Sequence, residues 1–223
     1  MPTFGFSAFL KLVSLNTRPQ RTLMRRRLSS AGQSGGYDFH RSLKLRANRF
    51  LVERVALPEI LLSVEDIKRI PERNSARKGL EQLGAWRDQN DGEILAFEPV
   101  LFESPAKNFK VQFSPNFGIR HEGRPVATHI WNTAKPDLDV RMVYAALSLF
   151  PSLYADHDQR PDDLAVLSLR NGQFLRLGEV EDHTEVGLRL IRRLDELFEE
   201  VRREGEKPRV PTVDQPTTRQ PPH

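Results

Sequence analysis

The chain contains no cysteine. That excludes disulfides, thiolate metal sites and cysteine nucleophiles at once, and it fits a reducing, cytoplasmic setting. It also lacks any run of about 18 apolar residues, so no segment is expected to span a bilayer as a helix. No glycine-rich loop carries the lysine and hydroxyl that cradle a nucleotide phosphate: Gly32 and Gly35-Gly36 stand without them. The six histidines include no pair four residues apart, the spacing that puts two zinc ligands on one helix face. No elbow motif marks a serine nucleophile, and no internal repeat is visible.

Acidic residues are absent from positions 1–37, which hold Lys11, Arg18, Arg21, Arg25, Arg26 and Arg27. Six of the 34 basic residues therefore lie in this segment, and the rest of the chain holds 28 basic against 30 acidic residues, a balance of −2. The overall charge of +4 belongs to the N-terminal segment and not to the body. A uniformly basic surface, the usual footprint of a DNA-binding domain, is not indicated.

What is present suits one globular domain flanked by disordered ends. The 223 residues are 38% hydrophobic and 29% charged, enough to bury one sizeable core. Residues 1–37 are Arg-rich and Ser/Thr-rich around the apolar patch FSAFLKLVSL. The composition suits a solvated disordered arm, an organelle transit peptide, or a basic tether for nucleic acid or acidic lipid. Residues 205–223, GEKPRVPTVDQPTTRQPPH, carry five prolines and no apolar period. They read as a disordered tail with polyproline II character.

The body, residues 38–204, reads as a single α/β domain. A helix from about Asp38 places Phe39, Leu43, Ala47 and Phe50-Leu51 on one face, and Pro58 is expected to stop it. Ser63 opens a short helix that Pro71 closes, and Ala76, Leu80, Leu83 and Trp86 share the face of the next. Extended runs follow over Ile94–Phe102, Phe109–Phe113, Phe117–Arg120 and Val126–Trp131, the last two joined by the turn Glu122-Gly123. A helix carries Val140, Val143, Tyr144, Leu147 and Phe150. The run Leu164–Leu169 is apolar enough for a central strand. Asn171-Gly172 turns it into a hairpin, and a last amphipathic helix covers Thr184–Arg203. Alternation of this kind predicts a mixed central sheet with helices on both faces.

The stretch Phe113–Leu138, FSPNFGIRHEGRPVATHIWNTAKPDL, joins this order to a known pattern. Residues 38–180 resemble the α-β-β-β-α-β core of the restriction-endonuclease-like superfamily, the PD-(D/E)xK fold. Ser114-Pro115-Asn116 matches the first half of its motif, and His129-Ile130-Trp131 falls, 13 residues later, where the acid-x-lysine half would stand. The resemblance implies a nuclease ancestry in which carboxylates hold Mg²⁺ and a lysine orients the attacking water.

The residues depart from that pattern in a way that matters chemically. Mg²⁺ prefers carboxylate oxygens. Asn116 offers a neutral amide, His129 suits softer metals, and Trp131 has no ammonium. A displaced site would draw on Lys135 with Glu98, Glu103 or Glu122, or on Glu53 or Glu81 from the helices. His121 and His129, on opposite strands of the hairpin, are a second thin metal candidate.

The expectation is therefore a non-catalytic binding or accessory protein on a degenerate nuclease-like fold, without a cofactor. It would meet nucleic acid through Arg25, Arg26 and Arg27 of the arm and Arg41 and Lys44 of the first body helix. Two alternatives remain. One is a Mg²⁺-dependent nuclease using Asn116, His129, Lys135 and Glu98. The other is a protein-interaction module that docks a partner on the last helix or a sheet edge.

Overall fold

The computed structural model describes residues 1–29 and 38–206. In chain order they form β1 (Thr3–Gly5), α1 (Phe6–Val13), α2 (Thr17–Ser29), α3 (Arg41–Leu51), α4 (Leu57–Ser63), α5 (Ile70–Asp88), β2 (Ile94–Leu95), β3 (Val100–Glu103), β4 (Lys110–Phe113), β5 (Phe117–His121), β6 (Arg124–Trp131), α6 (Val140–Leu147), β7 (Asp163–Ser168), β8 (Phe174–Arg176) and α7 (Thr184–Glu206). Three short 3-10 turns link some of them.

The strands divide into two sheets. A five-stranded sheet runs β2-β5-β6-β7-β8, and a three-stranded sheet runs β1-β4-β3. In the larger sheet β6 and β7 are parallel and joined through α6, while the other pairings are antiparallel. The class is mixed α/β, with helical cover on both faces of the main sheet. Strand parity shows how. Val126 and Ile130 of β6 and Ala165 and Leu167 of β7 join the core under α3, α4 and α5. Their neighbours Ala127, Trp131, Leu164 and Val166 join a second core with α1, α6, α7 and the small sheet. Successive residues on a strand face opposite ways, so one sheet serves two cores.

The turn residues behave as their chemistry requires. Glu122 and Gly123 both have positive φ, at 49° and 79°, the geometry of a tight two-residue hairpin. Gly172 is also left-handed, at φ 71°, and β7 and β8 pair across it.

Several expectations need correction. The disordered arm over residues 1–37 is not what forms: residues 1–29 fold into β1, α1 and α2. Phe4, Phe9, Leu10, Leu12 and Met24 are all fully buried there, and β1 pairs with β4 in parallel. Composition misleads because the arginines of α2 find their acids far along the chain. Arg21 pairs with Glu200 at 3.0 Å and Arg25 with Glu204 at 2.6 Å, both on α7. Residues 30–37, with Gly35-Gly36, lie outside the described residues. So do residues 207–223 of the proline-rich tail, while Gly205 and Glu206 belong to α7.

Pro58 and Pro71 begin helices and do not end them, standing in the first turns of α4 and α5. There the missing N–H removes no intrahelical bond. The single run expected over Ile94–Phe102 splits into β2 and β3, which belong to different sheets. Pro99, just before β3, offers no ladder donor.

Candidate functional site

Where the ends of β4, β5 and β6 meet the start of α1 and the start of α3, a pocket of about 740 Å³ opens. Its wall is drawn from places far apart in the sequence. Gly5, Ser7 and Lys11 come from β1 and α1, and Arg27 from the end of α2. Asp38, Phe39, His40 and Lys44 come from the turn into α3 and its first residues. Ser114, Asn116 and His129 come from the hairpin region, and Asn132 and Lys135 from the segment after β6.

His129 forms the floor. It is 4% exposed, edge-on to Phe6 at 5.1 Å between ring centroids, and its Nε2 is hydrogen-bonded to Ser7 Oγ at 2.7 Å. Burial, reinforced by the nearby Lys44 ammonium, depresses its pKa to about 3, against the opposing effects of the Ser114 backbone and Asp38. Its Nδ1 makes no hydrogen bond within normal geometry. The ring is therefore neutral at pH 7.

The Ser7–His129 contact has the spacing of a nucleophile and its base, but the physics of a fastener. A general base works best with a pKa near the working pH, and it needs a partner that orients it. The pKa of this imidazole is pressed by burial far below that range. Its hydrogen bond ties α1 to β6.

Asn116 is also occupied. Its Oδ1 accepts the Ile130 N–H at 2.7 Å, and its own backbone N–H donates to the Thr128 carbonyl at 2.8 Å. The side chain extends the β5–β6 ladder by one acceptor. Trp131, two residues beyond His129 and on the same face, is buried in the core and does not line the pocket. Asn132 Nδ2 donates to Ser75 Oγ at 3.1 Å, holding the end of β6 against α5.

The charge around the rim is one-sided. Lys11, Arg27, Lys44 and Lys135 line the pocket, and Asp38 is its single carboxylate. Asp38 pairs with Lys44 at 3.1 Å. Burial pushes the Asp38 carboxyl up, but the His40 backbone N–H and the Lys44 ammonium outweigh it, so its pKa lies below the ordinary value. Burial also lowers the pKa of His40, with Asp38 opposing. Arg27 lies over the Phe4 ring, 5.5 Å from its centroid. Among the described residues, Lys11, Arg27 and Lys135 have no carboxylate partner.

The structure thus brings together five of the positions singled out in the sequence: Asn116, His129, Lys135, Arg27 and Lys44. It does not bring in the others. Glu98 is exposed in the link between β2 and β3, where its carbonyl accepts the Tyr154 hydroxyl at 2.8 Å. Arg25 is drawn to α7 by Glu204, and Arg26 and Arg41 do not line the pocket. The displaced-ligand candidates are committed elsewhere: Glu103 to Lys110 at 2.8 Å, and Glu122 to Arg176 at 3.1 Å. His121 pairs with Arg124 at the turn end of the hairpin, far along the ladder from His129.

These donors do not fit Mg²⁺. Asn116 is already bonded, His129 is a buried nitrogen, and Asp38 is paired. Among the described residues no group of three or more histidine or carboxylate side chains is placed to hold a metal ion. Ser7, Lys11 and Phe39 are among the pocket residues that sequence reasoning gave no role there. The signal for the first two was the apolar period of residues 4–13, which marks a packed helix.

No family model matches the chain, and no curated protein matches it. It is similar to a solved structure described as "Crystal structure of SSO0001", with a TM-score of 0.33 and 12% identity over 84% of this chain and 86% of that one. A likeness of that degree carries no functional argument.

Proposed function

We propose that the chain is a non-catalytic binding protein whose cationic pocket receives the phosphates of a nucleic acid, on a core similar to that of the restriction-endonuclease-like proteins. The observation that carries the reading is the rim of Lys11, Arg27, Lys44 and Lys135 around a single, already paired carboxylate. Such a rim attracts a polyanion by Coulomb attraction and by release of its condensed counterions. The parallel β6–α6–β7 connection behind an antiparallel hairpin supports the nuclease-like core. The absence of a carboxylate cluster among the described residues supports binding in place of metal-assisted cleavage.

The test is fluorescence anisotropy with labelled DNA and RNA oligonucleotides at 50 mM salt, with and without Mg²⁺. Lys11→Ala combined with Lys135→Ala is expected to weaken binding about tenfold or more, since each removes a phosphate contact. Arg25→Ala, outside the pocket, is expected to leave it unchanged. Chelating Mg²⁺ should have no effect. Failure of all nucleic acids to bind, or Mg²⁺-dependent cleavage, overturns the reading.

A further inference from the structure

We propose that this pocket takes one unpaired nucleotide of a single strand, its base laid on the Phe39 ring and its phosphate held among the surrounding cations. The inference rests on the phosphate-binding reading above and names the substrate class of that same site.

Phe39 carries it. Phe39 is 36% exposed, lines the cationic pocket and belongs to neither buried core cluster. Sequence periodicity places it on the apolar face of that helix. In the structure the helix begins only at Arg41, so Phe39 stands in the preceding turn, outside that face. Its ring neighbour among the described residues is His40, perpendicular to it at 5.1 Å. Among the described residues no ring is stacked parallel on it, which leaves its face open to a planar partner. Lys44 and Asp38 fix the turn from both sides, through their ion pair and through the His40 N–H donated to Asp38 at 3.0 Å.

An exposed aromatic ring beside cations that track a backbone is the arrangement that binds single strands with little sequence preference. The volume points the same way. About 740 Å³ is the scale of a pocket for a small ligand, not of a groove for a helix. A base inside a duplex reaches such a pocket only after unpairing and unstacking. The floor is a neutral imidazole, so the charge that meets the phosphate comes from the rim.

The experiment compares three labelled probes of equal length at 50 mM salt: a single-stranded DNA oligonucleotide, a blunt hairpin duplex, and an abasic strand with the same backbone. The wild-type protein is expected to bind the single strand about tenfold more tightly than either of the others. Phe39→Ala should weaken the single strand about tenfold, on the scale of one lost base stack, and leave the abasic strand unchanged. Phe39→Trp should restore single-strand binding. Melting temperatures of both variants confirm the fold. Equal affinity for duplex and single strand, or indifference to Phe39→Ala while Lys11→Ala/Lys135→Ala still weakens binding, overturns this inference and spares the phosphate-binding reading. Binding of no probe at all overturns both.

Discussion

A histidine walled in by Phe6, Phe113 and Ser7 is held neutral by its burial, and acid tests what that costs the fold. Its pKa is about 3 in the folded protein, against an ordinary value of 6.5. Between those values the unfolded chain binds a proton that the folded chain refuses. Stability from this group is therefore complete above pH 6.5 and is lost progressively as the pH falls toward 3. From pH 7 to pH 5 the loss is about 2 kcal/mol by that linkage. His129→Gln keeps an amide that can meet Ser7 Oγ and removes the titration. We expect urea midpoints of the wild-type protein to fall between pH 7 and pH 5 by more than those of His129→Gln. Parallel curves for the two proteins would show that the imidazole is not the acid-sensitive group. At this scale strand parity made much of the site legible. Residues 116 and 129 do lie together, as a hairpin with a two-residue turn requires. What parity could not supply is the opposite wall, because Ser7 reaches His129 across 122 positions of sequence.

Elements are where the reading of the N-terminus changes most. A disordered arm can be trimmed without consequence, whereas β1 adds a strand beside β4 and α1 is tied to β6. Phe6 is 2% exposed and meets the rings of Phe113 and Phe150 edge-on at 5.0 and 5.5 Å. Truncating such a residue costs about 3–5 kcal/mol through lost transfer energy and the cavity left behind. We expect Phe6→Ala to lower unfolding free energy by that amount in denaturant titrations, and removal of residues 1–29 to yield insoluble protein. A shift below about 1 kcal/mol for Phe6→Ala would return the segment to the status of an arm. The helices α3, α5, α6 and α7 and both hairpins were legible because their signals are local: apolar spacing, Asn171-Gly172 and Glu122-Gly123. The split into two sheets was not. Whether Val100 continues the strand of Ile94 or joins Phe113 instead depends on which partner each finds, and β1 is a three-residue strand whose partner lies more than a hundred positions away. Prolines marked helix boundaries correctly but left the direction open, since a first-turn proline and a helix-ending one look alike in sequence.

For the molecule as a whole, the question is where an excess of positive charge remains once the ion pairs are formed. Arg21 and Arg25 are neutralised by α7, Arg73 and Arg77 by Glu65, and Arg176 by Glu122 and Glu179. At the pocket rim three of the four cations have no carboxylate partner among the described residues and face one concavity together. A polyanion that samples the whole surface meets a nearly balanced field, and one that enters the pocket meets about three uncompensated charges. Salt dependence separates the two cases. For a single strand the slope of log K against log salt is about −0.7 per phosphate neutralised, so three contacts give roughly −2, or about a twentyfold loss of affinity between 50 and 200 mM. Lys135→Ala should flatten the slope by about 0.7, and Arg25→Ala should leave it alone. A slope that Lys135→Ala does not alter would move the binding surface off this pocket, whatever the affinity measured at low salt.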